Sequence, residues 1–355
     1  MKVLIGVVVS AVLLWLSLRD VDLGGAWAAT QAMNGIYLIP YLVVLVVAIL
    51  VRSARWQLLL WPVKRCSFWK LNNATLIGMM ANNLLPARAG EFLRAYAGAR
   101  MEGLPFSTCL ATAVIDRVFD GLTASGIFIF ALIAYPLPEV AKVAGYVATA
   151  IYLVTLGLLV ALVEWPEATL RWAGLLLSRL PEHLAARAAG WLRAFVSGLG
   201  VFHRPKLLIG SIVLSIVVWF SYGLGLYFMW KAFDIHLPLT SAFIVLLILT
   251  IGLTLPSTPG FVGAMEAAII GGLVYFGVDK TPAAAAAIVY HVTQFVPYTI
   301  AGFVVLYFER MSLAEIAHVP DEQAKLSRND GLVPEPPRMS DPSDRDAEKK
   351  TPSRR

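Results

Sequence analysis

Long apolar runs separated by short polar interruptions fill the first 310 residues of the chain. Val3 to Leu18, Gly35 to Val51, Leu104 to Tyr135, Val143 to Val163, Leu207 to Trp230 and Ala283 to Phe308 read as membrane-crossing helices. Barrel strands would instead alternate apolar and polar residues over about ten positions. Two further runs, Leu71 to Leu85 and Leu239 to Leu255, are shorter, and each ends in proline: Pro86 in the first case, Pro256 and Pro259 in the second. Proline removes a backbone donor and bars helical torsions from the residue before it, so the first of these helices breaks near Leu85. Ala87 to Gly90 then form a short link, and a second helix starts around Glu91, whose charge suits a helix N-terminus. The pattern predicts an all-α polytopic integral membrane protein with about six full spans and two re-entrant broken helices, or about eight spans if the broken ones are counted.

Composition agrees: 58% of the 355 residues are hydrophobic and 15% charged, with a mean hydropathy of +0.72. A soluble globular class is excluded. Lys2 before the first run imitates a signal peptide, but no small-residue cleavage site follows and the run is read as a retained span. Residues 1–310 form the transmembrane domain. Residues 311–355 turn rich in Pro, Ser, Asp, Glu, Lys and Arg and read as a disordered charged cytoplasmic tail. Cys66 and Cys109 are expected as free thiols.

Charge sets orientation. Arg52, Arg55, Lys64, Arg65 and Lys70 follow the second span with no acidic residue among them, and this stretch is read as a cytoplasmic loop anchored at the interface by Trp56, Trp61 and Trp69. Glu164 to Lys206 reads as amphipathic helices on the same face. Both termini are then cytoplasmic, in a bacterial inner membrane. A nucleic-acid role for the basic stretch is set aside because it is wedged between apolar spans.

The candidate chemistry sits in the broken segments and the spans after them. Asn83, Pro86, Arg88, Gly90, Glu91 and Arg94 belong to the first; Pro256, Pro259, Gly260 and Glu266 to the second. Broken helices mark membrane transport sites, while an interfacial turn with arginines among lipid phosphates is the plainer alternative. Asp116, Arg117 and Asp120 lie inside a span, where spacing lets Arg117 pair with Asp120 as a structural ion pair or turns the group toward a headgroup. Tyr290, His291 and Gln294 enter the last span. No nucleophile with a base, phosphate loop or metal cluster stands out, so no cofactor is expected.

A faint internal repeat connects these pieces. Leu85, Pro86 and Gly90 match Leu255, Pro256 and Gly260 at one spacing, and Gly103 to Asp116 matches Gly277 to Tyr290, which places Asp116-Arg117 opposite Tyr290-His291. Three full spans lie between the broken segments, an odd number, so the second unit is expected to be inverted.

The run from Asn82 to Arg94, the segment Ala111 to Leu122, the segment Leu255 to Ala268, and Tyr290-His291 with Gln294 resemble the lysylphosphatidylglycerol synthase transmembrane-region family, the flippase-like domain proteins. The resemblance covers residues 1 to about 310; it implies the integral membrane fold of the flippase half of the multiple peptide resistance factor, which moves aminoacylated phosphatidylglycerol between leaflets. Relatives act in hopanoid and polyprenyl-lipid pathways, so the resemblance leaves the lipid open. Many members carry Glu where this chain has Asp116. The tail of about 45 residues is too short for the aminoacyltransferase domain of the fused proteins, so the chain is expected not to make the lipid. On this reading it is a translocator of an anionic or aminoacylated phospholipid, or of a polyprenyl- or hopanoid-type lipid, with membrane lipids as partners. A membrane glycosyl- or aminoacyl-transferase using Asp116 and Glu91, and a non-transporting scaffold for a cytoplasmic lipid-modifying enzyme, are the alternatives; oligomeric state stays open.

Overall fold

The computed structural model describes residues 2–85, 89–137, 139–165, 190, 194–254 and 258–311. Among these, eleven α-helices run in order: α1 Lys2–Leu18, α2 Leu23–Ala32, α3 Leu38–Leu60, α4 Phe68–Leu84, α5 Gly90–Glu102, α6 Phe106–Ala134, α7 Glu139–Glu164, α8 Pro205–Ala232, α9 Leu239–Gly252, α10 Ala264–Tyr275 and α11 Lys280–Phe308. Short 3₁₀ turns at Gly35–Tyr37 and Pro259–Phe261 lead into α3 and toward α10. Five of these stretches, Gly35–Leu60, Phe106–Ala134, Ala141–Glu164, Pro205–Ala232 and Lys280–Phe308, are long and apolar enough to cross a membrane; the described part of α1 is shorter. The all-α polytopic membrane fold is as expected.

Both helix breaks fall where proline and glycine place them. α4 stops at Leu84, with Leu85 extended at φ −106° and ψ 145°, and α5 begins at Gly90. The Asn82 side chain accepts a hydrogen bond from Gly90 N at 3.0 Å, satisfying one donor of the new helix. α4 and α5 fold back on each other through glycine: a Cβ on Gly90 would lie 2.1 Å from the Gly78 carbonyl oxygen. α9 and α10 form the second hairpin, where Gly252 meets Ala268.

The packing repeats. α3 lies against α4 and α6, α4 against α5, and α5 against α6; α8 lies correspondingly against α9 and α11, α9 against α10, and α10 against α11. α3 and α8 pack on each other, and the crossed contacts α4 with α11 and α9 with α6 complete the pattern. The α5–α6 link turns at Gly103 and the α10–α11 link at Gly277, both in the left-handed region. The breaks themselves touch, because Gly260, at φ +75°, leaves no room for a Cβ between Phe295 and the Asn83 carbonyl.

Two span limits change and one helix is new. The second span does not end at Val51: α3 runs on to Leu60, so Arg52, Arg55 and Trp56 are helical and buried, not part of an interfacial loop. The polar stretch after α1 folds as α2, started by the Asp22 carboxylate accepting from Gly24 N at 3.0 Å. The span read from Val143 begins earlier, as α7 at Glu139. Most of the amphipathic stretch before Arg204, and the tail beyond Met311, lie outside the described residues.

Candidate functional site

Seven ionised side chains from three helices converge between the first broken segment and α6. α3 contributes Arg52 and Arg55, α5 contributes Glu91 and Arg94, and α6 contributes Asp116, Arg117 and Asp120. Within each helix the members stand three or four residues apart, apart from the adjacent pair Asp116 and Arg117, so one face of each helix aims at the others.

Asp116 is the centre. It is fully buried, its Oδ1 accepts from Arg55 Nε at 2.7 Å, and its Oδ2 accepts from Arg94 Nη1 at 2.7 Å. Asp120 Oδ1 lies 2.8 Å from Arg55 Nη2, while its Oδ2 lies 3.5 Å from Arg52 Nη1. Arg55 also donates from Nη1 to Ser215 Oγ on α8 at 2.7 Å. The Arg94 guanidinium sits over Trp56, 4.2 Å from the ring centroid, and Trp56 Nε1 donates to Thr112 at 3.0 Å. Glu91 pairs with Arg117, whose side chain is 46% exposed, and this pair forms the cluster's mouth.

The charges do not cancel. Four arginines face three carboxylates, and Nε of Arg52 together with Nε and Nη2 of Arg94 are buried without a hydrogen-bond acceptor among the described residues. Buried guanidinium hydrogens without acceptors are costly, and an anion would relieve them. A cavity of about 680 Å³ opens beside this cluster between α6, α7 and α8, lined by Phe119, Thr123, Phe130, Leu156 and Ile212, with Ser215 in its wall. Its lining is almost wholly apolar, and Ser215 joins it to Arg55.

The expected Arg117–Asp120 ion pair is only a loose contact at 3.6 Å; the main partner of Arg117 is Glu91. A prediction from spacing within one helix could not see the second helix. Arg52, Arg55 and Ser215 were missed, although Trp56 to Leu60 resumes the apolar character after Arg55 and carries α3 to 23 residues, a length that still suits one crossing.

The second half gathers the other candidates. His291 on α11 lies 2.5 Å from Glu266 Oε1 through Nδ1 and 2.8 Å from the Gly260 carbonyl oxygen through Nε2, and Glu266 Oε2 accepts from Gly263 N at 2.7 Å. Pro259 begins the 3₁₀ turn that carries Gly260. Tyr290 packs on Tyr41 of α3 with ring centroids 6.0 Å apart, and Gln294 lines a narrow gap with Tyr41 and Tyr222. Asn83 joins the halves by donating to the Phe295 carbonyl at 3.1 Å and to Thr299 at 3.0 Å. Pro86, Arg88 and Pro256 lie outside the described residues. Among the described residues no three His, Cys, Asp or Glu side chains form a metal-holding group.

The sequence pattern described as Lysylphosphatidylglycerol synthase TM region matches residues 3–302. A UPF0104 membrane protein of Methanothermobacter thermautotrophicus is 26% identical over 297 residues, covering 77% of this chain and 85% of the relative. Another from Methanocaldococcus jannaschii is 25% identical over 239 residues, covering 67% and 97%. A glycosyltransferase, AglD of Haloferax volcanii, is 37% identical over 57 residues, which is 16% of this chain and 9% of that protein. No solved structure matches.

Proposed function

From the premise that the chain belongs to the lysylphosphatidylglycerol synthase transmembrane-region family, we propose that it moves an anionic lipid between leaflets. The observation that carries this reading is the set of buried, acceptor-free guanidinium hydrogens on Arg52 and Arg94, set within a cluster of net charge +1. A headgroup phosphate supplies the missing acceptors, in the bidentate geometry that guanidinium favours. The apolar cavity beside the cluster, with Ser215 in its wall, takes hydrocarbon, as a lipid site requires and a site for a free anion does not. Arg88, in the link of the first broken segment, is the further arginine proposed to meet the phosphate.

The two touching breaks supply the moving parts, one half opening to each side of the membrane around a shared centre. Charge bias supports cytoplasmic termini. A transferase reading would use Asp116 and Glu91. Asp116 is fully buried with each oxygen already accepting from an arginine at 2.7 Å, so it is closed to a substrate proton, and Glu91 is paired with Arg117.

The test is reconstitution into liposomes with a labelled anionic phospholipid, followed by movement between leaflets. Arg94→Lys keeps the charge and loses the fork, so its rate is expected to fall at least about tenfold relative to the parent, while a zwitterionic probe moves slowly in both. Equal rates in the parent and Arg94→Lys would remove the phosphate role. No movement above empty liposomes across anionic lipids would remove translocation itself.

A further inference from the structure

One imidazole fastens the link of the second broken segment to the helix that follows it. His291 Nε2 faces the Gly260 carbonyl oxygen at 2.8 Å, before α10, and Nδ1 faces Glu266 Oε1 at 2.5 Å, in the first turn of α10. A carbonyl only accepts, so Nε2 carries a hydrogen and donates it. The Nδ1–Oε1 contact then needs a second hydrogen, on the ring or on the carboxyl, because two lone pairs facing each other at that distance repel. Glu266 Oε2 is already occupied by the Gly263 N–H at 2.7 Å, which fixes the carboxyl in place. Imidazolium with carboxylate and imidazole with carboxylic acid hold the same number of protons, so the pair binds one exchangeable proton either way.

The surroundings leave this proton to the pair. α1 brings Ser10, which bonds Thr258 in the link, and α4 brings Asn83 against Gly260. Tyr290, with Tyr41 of α3 and Tyr222 of α8 beside it, lies on the neighbouring side of α11. Among the described side chains the cations on the packed helices are engaged elsewhere: Lys70 of α4 with the Met101 carbonyl, Lys231 of α8 over Tyr227, Lys280 of α11 with Asp20. Glu309, just past α11, is bonded by Asn73, and Arg52 belongs to the first cluster. α2 and α9 carry no charged residue.

The repeat sharpens the point. Arg117 and His291 hold equivalent places, each following the residue matched as Asp116 and Tyr290, and each pairs with a carboxylate in the first turn of the second half-helix, Glu91 or Glu266. Arginine keeps its charge at any accessible pH, whereas histidine is the side chain that gains and loses one near neutrality. The first half therefore carries a permanent latch and the second a titratable one.

We propose that Glu266 and His291 form a proton-binding site that closes the second broken segment when occupied and releases it when empty. Release returns the proton to solvent and leaves the Nδ1 lone pair against a carboxylate, so the ring withdraws and Gly260 loses its donor as well. The inference stands whether or not the chain moves lipid.

The test reads the link directly. In the full chain with Cys66→Ala and Cys109→Ala, a single Thr258→Cys is labelled with maleimide in nanodiscs between about pH 6 and about pH 9, each rate divided by that of the unfolded chain at the same pH to cancel thiol chemistry. The normalised rate is expected to rise with pH by about tenfold per unit, the slope of one proton. Glu266→Gln supplies an amide donor to Nδ1 without a titrating proton, so labelling is expected to stay low at every pH. His291→Ala removes both bonds, so labelling is expected to stay high at every pH; if that variant does not fold, the amide variant decides alone. A flat profile in the parent, or a pH-dependent rise in Glu266→Gln equal to the parent's, overturns the proposal.

Discussion

Asp116 and Arg117 are neighbours in sequence with opposite energetic standing. Asp116 holds Arg55 and Arg94 at 2.7 Å each in full burial, so Asp116→Ala leaves two guanidinium groups facing one another without their counter-charge. Breaking a buried pair from one side costs about 3–5 kcal/mol, expected as a clear fall in melting temperature or loss of monodisperse protein in detergent. Arg117 is half exposed, and without it Glu91 still lies 3.6 Å from both Arg52 and Arg94. Arg117→Ala is therefore expected to cost about 1 kcal/mol or less, measured the same way. A large loss in Arg117→Ala with none in Asp116→Ala would reverse the assignment of the cluster's centre. The sequence pointed to this triplet of charges but paired them along their own helix, because i, i+3 spacing is visible in one dimension and the approach of α3 is not.

Between helices, the first broken segment depends on backbone contact. Gly90→Ala would place a Cβ 2.1 Å from the Gly78 carbonyl, and a backbone oxygen cannot rotate away as a side chain can. Overpacking of this kind costs about 1–3 kcal/mol, so the variant is expected to melt lower in the same detergent. Gly271 on α10 has open space where its Cβ would go, and Gly271→Ala is expected to be neutral or to stabilise by up to about 1 kcal/mol through helix propensity. Equal melting temperatures for the two variants would refute the contact. The break itself was legible, since Pro86 and the torsions it forbids at Leu85 are local chemistry. α3 was not: hydrophobic runs are read as ending at the first charge, and Arg52 looks like a loop residue until Asp116 and Asp120 are known to await it. α2 was hidden for the reverse reason, because a ten-residue stretch with two glycines and little amphipathic contrast has weak intrinsic helicity and is stabilised by packing against α11.

For the whole chain, the repeat in packing decides which faces the two halves offer to the membrane's two sides. The contact pattern maps α3–α6 onto α8–α11, and it holds equally for a parallel and an inverted repeat. What separates the two is the number of crossings between equivalent points. From the α3–α4 link the hairpin of α4 and α5 returns to the side it left, and α6, α7 and α8 then each have a length suited to crossing. Three crossings put the α8–α9 link on the opposite side, so the halves are expected to be inverted. Single cysteines at Val63 and His236, in a chain with Cys66→Ala and Cys109→Ala, test this in sealed cells with an impermeant maleimide. The Cys66 thiol is buried and pushed up to about 11, chiefly by loss of water and then by Glu102, so it would label poorly; removing it keeps any residual reaction out of the readout. Val63 lies in the α3–α4 link and His236 in the α8–α9 link, both open to solvent in the fold. Cysteine at one position is expected to react from outside and at the other only after permeabilisation. Reaction of both from the same side would make the repeat parallel and leave both breaks opening toward one face, which would remove alternating access while leaving the anion cluster intact.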